Sequence, residues 1–406
     1  MYILCNEKMF GLRYDKNKIA AFMISFMLSY SAIINAINAI CSYVFFQGFV
    51  WDTAILIAIY WGMLLFTLFK VIDRYAKLDE LVMLALYVVS FVLTMAFFPD
   101  NIKFALGKDA LNKIISFIAY AFAGYFICRK LDDLSVFIHI FEKFSTFSII
   151  LAAVHYFIGM LSPLYEPQYM VFSYGILAHV CLTIMLCINS FKWRRFILSI
   201  VGILLVCIAG SRGALLTLVV IIILFELISD RKMTKLKLIS ILVCSVFLAF
   251  FILNFDSIIS SLILFLDKFD LKSRTLLRIQ QGRFFESKER MKIQSFGLQA
   301  LQLWGHGLYG DRIKMGTYAH NIFLELLYDF GFAGIILSLT YVILIIRAII
   351  LADTKEKIIL LSMLSTGAFK LILSGSFLNQ EPALYILLGI SVDIIKKDKG
   401  KVRLKI

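Results

Sequence analysis

Tyr318-Ala319-His320-Asn321 opens an apolar run in which Asn321, Glu325 and Asp329 recur every four residues. On a helix that spacing makes one polar stripe, and a membrane helix turns such a stripe toward protein or a cavity. His320 stands at the entrance of the stripe. An imidazole there can serve as a general base near neutral pH, or can simply open the helix with a hydrogen bond. Ser211-Arg212-Gly213-Ala214 lies between two apolar runs with almost no loop, which puts Arg212 at a membrane edge. It either snorkels to the headgroups or forms an anion site helped by the following helix N-terminus. Arg283 and Arg290 would share one face of a continuous helix. A guanidinium grips phosphate bidentately, whereas Glu286 offers Arg290 a local ion pair instead. Lys370 is a charge inside another apolar run, able to snorkel outward or to line the same cavity. Three arginines converging outside would suit a pyrophosphate.

Other groups read more plainly. Gly305-His306-Gly307 with Gly310 is a flexible turn, and without a preceding strand it is a poor phosphate loop. Trp304 reads as an interfacial anchor. His155 and His179 are isolated on apolar helices and read as satisfied core residues. The seven cysteines show neither a CxxC pair nor zinc-ligand spacing. There is no Walker A motif, and the outer connections contain no tight Asp-x-Asp pair, Asp267 and Asp270 being the nearest approach. No metal site and no cofactor are expected; arginine rather than a cation would neutralise a leaving phosphate.

The elements that must carry these residues follow from composition. Hydrophobic residues make up 61% and charged residues only 17%, against roughly 45–50% and 25% in a soluble chain. That much apolar surface excludes a soluble globular protein, a disordered chain and a collagen-like one. The runs are continuous over nearly 20 residues rather than alternating, so they are membrane helices and not strands of a barrel. About twelve spans are expected, at 19–40, 53–72, 80–98, 111–128, 144–162, 169–190, 196–210, 213–229, 236–255, 321–349, 356–375 and 381–396. The N-terminal run lacks a small-residue cleavage site and reads as a retained helix. No repeat architecture stands out.

The net charge of +14 arises from short basic clusters between apolar runs, the pattern that sets topology rather than nucleic-acid binding. Basic residues alternate between rich and poor connections, which places both termini in the cytoplasm. The expected organisation is helices 1–9 over residues 1–255, an external connection over 256–320, and helices 10–12 with a basic tail over 321–406. Within the connection, residues 274–304 look amphipathic, a helix suited to lying at the headgroups. Because a long translocated loop escapes the positive-inside bias, its arginines are free to serve a purpose.

Taken together, Ser211-Arg212-Gly213-Ala214, Gly282-Arg283 or Arg290, Gly305-His306-Gly307, Ala319-His320-Asn321-Ile322-Phe323-Leu324-Glu325 and Asp329-Phe330-Gly331 with Gly334 resemble the O-antigen ligase and Wzy-type polysaccharide polymerase superfamily. The motifs cover roughly residues 205–340. The resemblance implies a GT-C-type membrane glycosyltransferase of the bacterial cytoplasmic membrane with its site on the external face. Such a polymerase moves a growing glycan from undecaprenyl pyrophosphate onto the non-reducing end of another lipid-linked repeat unit. By the same resemblance Arg212 and one of Arg283 or Arg290 would bind the donor pyrophosphate. His320 would activate or orient the acceptor hydroxyl, and Asn321 and Glu325 would support it or bind sugar. Partners would be the lipid-linked oligosaccharide, membrane lipid, a chain-length regulator and a flippase, and no nucleic acid. The sister activity is ligation of glycan to another acceptor. A flippase of lipid-linked oligosaccharide also suits twelve spans, but it would show related halves and broken midplane helices, which the sequence lacks.

Overall fold

The computed structural model describes residues 15–45, 50–71, 78–101, 123–161, 169–209, 211–229, 301–378 and 382–403, with isolated positions 260, 261, 264, 268, 295, 298 and 299. The expected span 236–255, most of 111–128, and both Arg283 and Arg290 lie outside the described residues.

Apolar runs fold as helices here because, in lipid, each backbone N–H and C=O must find its partner within its own segment. The helices are α1 Lys16–Phe45, α2 Val50–Val71, α3 Leu78–Phe97, α4 Ala123–Cys128, α5 Leu134–Leu161, α6 Tyr169–Asn189, α7 Trp193–Ala209 and α8 Arg212–Ile228. After the masked connection come α9 Gly310–Met315, α10 Ile322–Phe330, α11 Phe332–Leu351, α12 Thr354–Leu364, a π-helical turn Ser365–Phe369, α13 Lys370–Leu373 and α14 Pro382–Arg403. No strand occurs among the described residues. Among them, Lys16–Ile40, Leu78–Phe97, Leu134–Ile158, Val171–Asn189 and Phe332–Leu351 are five helices long and apolar enough to cross a membrane. An all-helical chain with these spans fits a polytopic membrane protein.

α6 sits at the centre. It is apolar on every side and packs against α1, α5, α7, α8 and α12, as a helix hydrophobic all round must. His179 in its middle is fully buried and satisfied: Ser145 Oγ lies 3.0 Å from Nδ1, and Ser29 Oγ and the Leu28 carbonyl lie 3.4 and 3.3 Å from Nε2. That knot ties α1, α5 and α6 together, in the role expected for an isolated histidine. By contrast α3 and α11 leave Leu86, Val89, Val92, Ile336, Leu339 and Ile343 exposed, surfaces that suit lipid.

One end of the bundle is a charge network. Arg129 pairs with Asp79 (2.8 Å) and with Asp393, and Lys396 reaches Asp79 at 2.5 Å. Lys397 pairs with Glu356 at 2.9 Å. α3 starts in this network at Asp79 and ends about 20 Å away beside the 301–320 segment, where Thr94 Oγ1 accepts from the Leu308 amide at 3.0 Å. Basic clusters expected inside and the motif segment expected outside thus occupy opposite ends of the helices.

Two expected spans are not single helices. The run 321–349 breaks at Gly331, whose φ of 56° lies in the left-handed region, into α10 and α11. The run 356–375 contains the π-helical turn immediately before Lys370. Hydropathy is blind to both, because neither break changes how apolar the segment is.

Candidate functional site

The site is built on the start of α10. Asn321 is its N-cap: the backbone is extended, and Oδ1 accepts from the Phe323 and Leu324 amides at 2.9 and 3.2 Å. His320, one residue earlier, has φ 57°. A non-glycine residue in that region costs about 1–2 kcal/mol, so neighbouring contacts must hold it. Asp311 Oδ2 accepts from the Ala319 amide at 3.1 Å. The Tyr318 ring packs on the His320 imidazole with centroids 4.0 Å apart, and the Tyr318 hydroxyl donates to the Ser374 carbonyl at 3.2 Å.

Behind this turn lies a buried charge cluster. Arg312 Nη1 donates to Asp311 Oδ1 at 2.7 Å and to Glu325 Oε1 at 3.0 Å, while Nη2 donates to Ser376 Oγ at 2.6 Å. Its guanidinium also lies over the rings of Tyr309 and Tyr318, at 5.2 and 5.9 Å. Glu325 is 0% exposed, and its other oxygen accepts from the Phe377 amide at 3.1 Å. One arginine therefore joins α9, the first turn of α10 and the Ser374–Leu378 segment. Asn321 and Glu325, expected to support His320 or bind sugar, are occupied in capping the helix and pairing with Arg312.

Asp311, Glu325 and Asp329 each present an oxygen, all within 4.8 Å of one another, the only such potential ion-holding group among the described residues. The Arg312 guanidinium pairs with two of them, Asp311 and Glu325. Three carboxyl groups share one arginine, and these groups stand on α9 and α10, ahead of the Phe332–Leu351 span. Burial pushes the Glu325 carboxyl up to about 7, against the pull of Arg312. Burial, reinforced by Asp311 and Glu325, holds the Asp329 carboxyl well above the usual range. Asp311 is raised by burial too, with Arg312 opposing.

The Gly305-His306-Gly307 turn packs against the C-terminal end of α10 by backbone contacts. The His306 and Gly307 amides donate to the Tyr328 and Asp329 carbonyls at 3.0 and 2.8 Å, and Phe332 N donates to Leu303 O at 2.9 Å. Gly305, with φ 73°, lies so close to Asp329 and Gly331 that a β-carbon has no room. The turn is a packing joint, and Asn101 Nδ2 fastens it by donating to the His306 carbonyl at 2.6 Å. Trp304 beside it is 85% exposed, as an interfacial anchor would be.

Arg212 is the first residue of α8. The next residue, Gly213, abuts the Tyr174 hydroxyl of α6 and Leu373 of α13. Lys370 at the start of α13 places its ammonium 5.8 Å over the Tyr174 ring. The Ser374 amide donates to the Lys370 carbonyl at 2.8 Å, and the Ser374 carbonyl receives the Tyr318 hydroxyl that backs His320. A continuous series of contacts thus runs from the Arg212 helix start through Tyr174 and Lys370 to Tyr318 and His320. Arg283 and Arg290 cannot be added to it, since they lie outside the described residues.

Sequence reasoning passed over Asp311, Arg312, Ser376 and Tyr174. Arg312 looked like one more basic residue of a polar connection. Only its burial, with a side chain 12% exposed, sets it apart. The partners are 13 and 64 residues away, beyond the reach of spacing arguments.

No curated protein and no solved structure matches the chain. Residues 196–339, running from α7 to α11 and including Arg212, Arg312, His320 and Glu325, match the family model described as O-antigen ligase, which supports the O-antigen ligase superfamily.

Proposed function

We propose that the protein is a membrane glycosyltransferase that transfers a growing glycan from undecaprenyl pyrophosphate to the non-reducing end of a lipid-linked repeat unit, on the external face of the bacterial cytoplasmic membrane. The observation that carries this reading is the contact series joining the Arg212 helix start, Lys370 and His320, whose two ends lie inside the segment matched to the O-antigen ligase family. That family supports an enzyme acting on lipid-linked polysaccharide.

The donor already carries its leaving group. The acceptor hydroxyl oxygen attacks the donor anomeric carbon while the bond from that carbon to the pyrophosphate oxygen breaks. The electron pair leaves with undecaprenyl pyrophosphate, and the acceptor proton passes to the His320 imidazole. Arg212, Lys370 and one of Arg283 or Arg290 neutralise the charge that builds on the departing oxygen. Alignment of the two lipid-linked substrates entering from the bilayer supplies much of the rest of the acceleration. Neutralisation by arginine and lysine makes the step metal-independent in this reading. The expected architecture is the GT-C type, with both termini cytoplasmic.

The match to the O-antigen ligase family equally supports a second reading, a ligase that delivers glycan to a different acceptor by the same chemistry at His320. Cells lacking the gene and complemented with Arg212→Ala or His320→Ala separate these readings. A polymerase variant leaves exported single units on the usual acceptor. A ligase variant leaves long glycan on the lipid carrier. Retention of units on the inner leaflet would indicate a flippase and overturn both.

A further inference from the structure

Arg312 has no place in the chemistry above, yet three side-chain hydrogen bonds and two ring contacts hold it in a buried site. Its donors go to Asp311, Glu325 and Ser376, and its guanidinium lies over the Tyr309 and Tyr318 rings. Those contacts converge on His320 from both sides of the chain. Toward the N-terminus, Asp311 holds the Ala319 amide, and Tyr318 packs on the imidazole. Toward the C-terminus, Glu325 belongs to the first turn of the helix that Asn321 caps. We propose that Arg312 is a positioning residue for His320, clamping the left-handed turn that presents the imidazole between Asp311 and Glu325. This rests on His320 being the base of the proposed transfer.

Two features separate this from direct substrate binding. The Arg312 side chain is 12% exposed, and carboxylates and the Ser376 hydroxyl already engage both of its terminal nitrogens. A phosphate would have to displace buried, charge-assisted bonds to reach it. The geometry also separates the arginine from lysine, which has no planar fork with which to reach carboxylates and a hydroxyl at once.

The test uses the full chain in nanodiscs, as wild type, Arg312→Lys, Arg312→Ala and Asp311→Asn. Carbethoxylation of His320 by diethyl pyrocarbonate is followed by mass spectrometry, with exposed His139 near the start of α5 as internal reference. The expected result is several-fold faster labelling of His320 relative to His139 in Arg312→Ala and a smaller rise in Arg312→Lys. In transfer assays kcat falls on the order of 10- to 100-fold at nearly constant KM, with partial rescue by lysine. Unchanged labelling of His320 in a folded Arg312→Ala protein overturns the proposal. So does a raised KM with constant kcat, which marks a substrate contact. Should Arg312→Ala fail to fold, Arg312→Lys and Asp311→Asn decide by the same labelling ratio. Labelling needs no turnover, so an inactive wild type would count against the proposed transferase without affecting this readout.

Discussion

The hydroxyl of Tyr174 fills the space that a side chain on Gly213 would need. Tyr174 is 3% exposed on the central helix α6, so it cannot swing into solvent to make room. That contact fixes where α8 begins and therefore where Arg212 is held. Gly213→Ala is expected to destabilise the protein by about 1–3 kcal/mol, the usual cost of overpacking. Tyr174→Phe in the same chain should recover part of the loss, because it removes the obstructing oxygen. Thermal unfolding in detergent of both single variants and the double variant measures this coupling. Additive losses would show that the contact is not what limits Gly213.

Arg212→Ala and His320→Ala should each abolish chain growth while leaving the unfolding midpoint near wild type. The expected loss is about 100-fold or more for either variant. Polymer length distributions in complemented cells, beside membrane abundance of the protein, check it. Near-normal polymer in one variant would remove that residue from its assigned role.

Glu325→Ala should be among the most damaging substitutions in the chain, because it strips a buried guanidinium of a partner. Breaking a buried ion pair from one side costs about 3–5 kcal/mol. Glu325→Gln keeps the shape and a hydrogen-bond acceptor and should cost less. A small effect of the alanine variant on thermal stability would show that Asp311 and Ser376 suffice to hold Arg312.

Asp329 gives the opposite expectation. Its carboxyl is held well above 3.8 by burial and by neighbouring carboxylates, so the folded protein keeps a proton that the unfolded chain releases. Stability then falls as pH rises from about 4 upward through the raised value, since folding binds protons over that window. Asp329→Asn mimics the protonated form. It should leave the midpoint near wild type at low pH and flatten the decline toward pH 8, leaving the part due to Asp311 and to Glu325, whose carboxyl burial pushes up to about 7. An unaltered slope would place the titration elsewhere.

The helical membrane architecture was legible because composition and run length leave no alternative once every backbone group must be satisfied in lipid. Asn321, Glu325 and Asp329 were legible as a stripe because their period of four survives from the N-cap of α10 to its last turn. Their division of labour was not. Asn321 caps the helix, and Glu325 turns to an arginine in another element, a pairing set by tertiary packing rather than by spacing. The break at Gly331 was half legible: the glycine was noted, but its left-handed backbone depends on the Leu303–Gly305 segment packed against it. Tyr174 carried no signal, since an aromatic on an apolar helix is the commonest kind of core residue. Lys370 was found by its charge, although the π-helical turn that precedes it was invisible to hydropathy.

The most direct test of glycosyl transfer from a lipid pyrophosphate is reconstitution. Purified protein in nanodiscs is given only its lipid-linked repeat unit and a chelator, without nucleotide sugar or ATP, and products are resolved on a gel alongside an assay for released undecaprenyl pyrophosphate. The account predicts a ladder with stoichiometric release of the lipid pyrophosphate, both lost in His320→Ala. Absence of release from the wild type, with the unit instead appearing on the opposite leaflet of proteoliposomes, would contradict it.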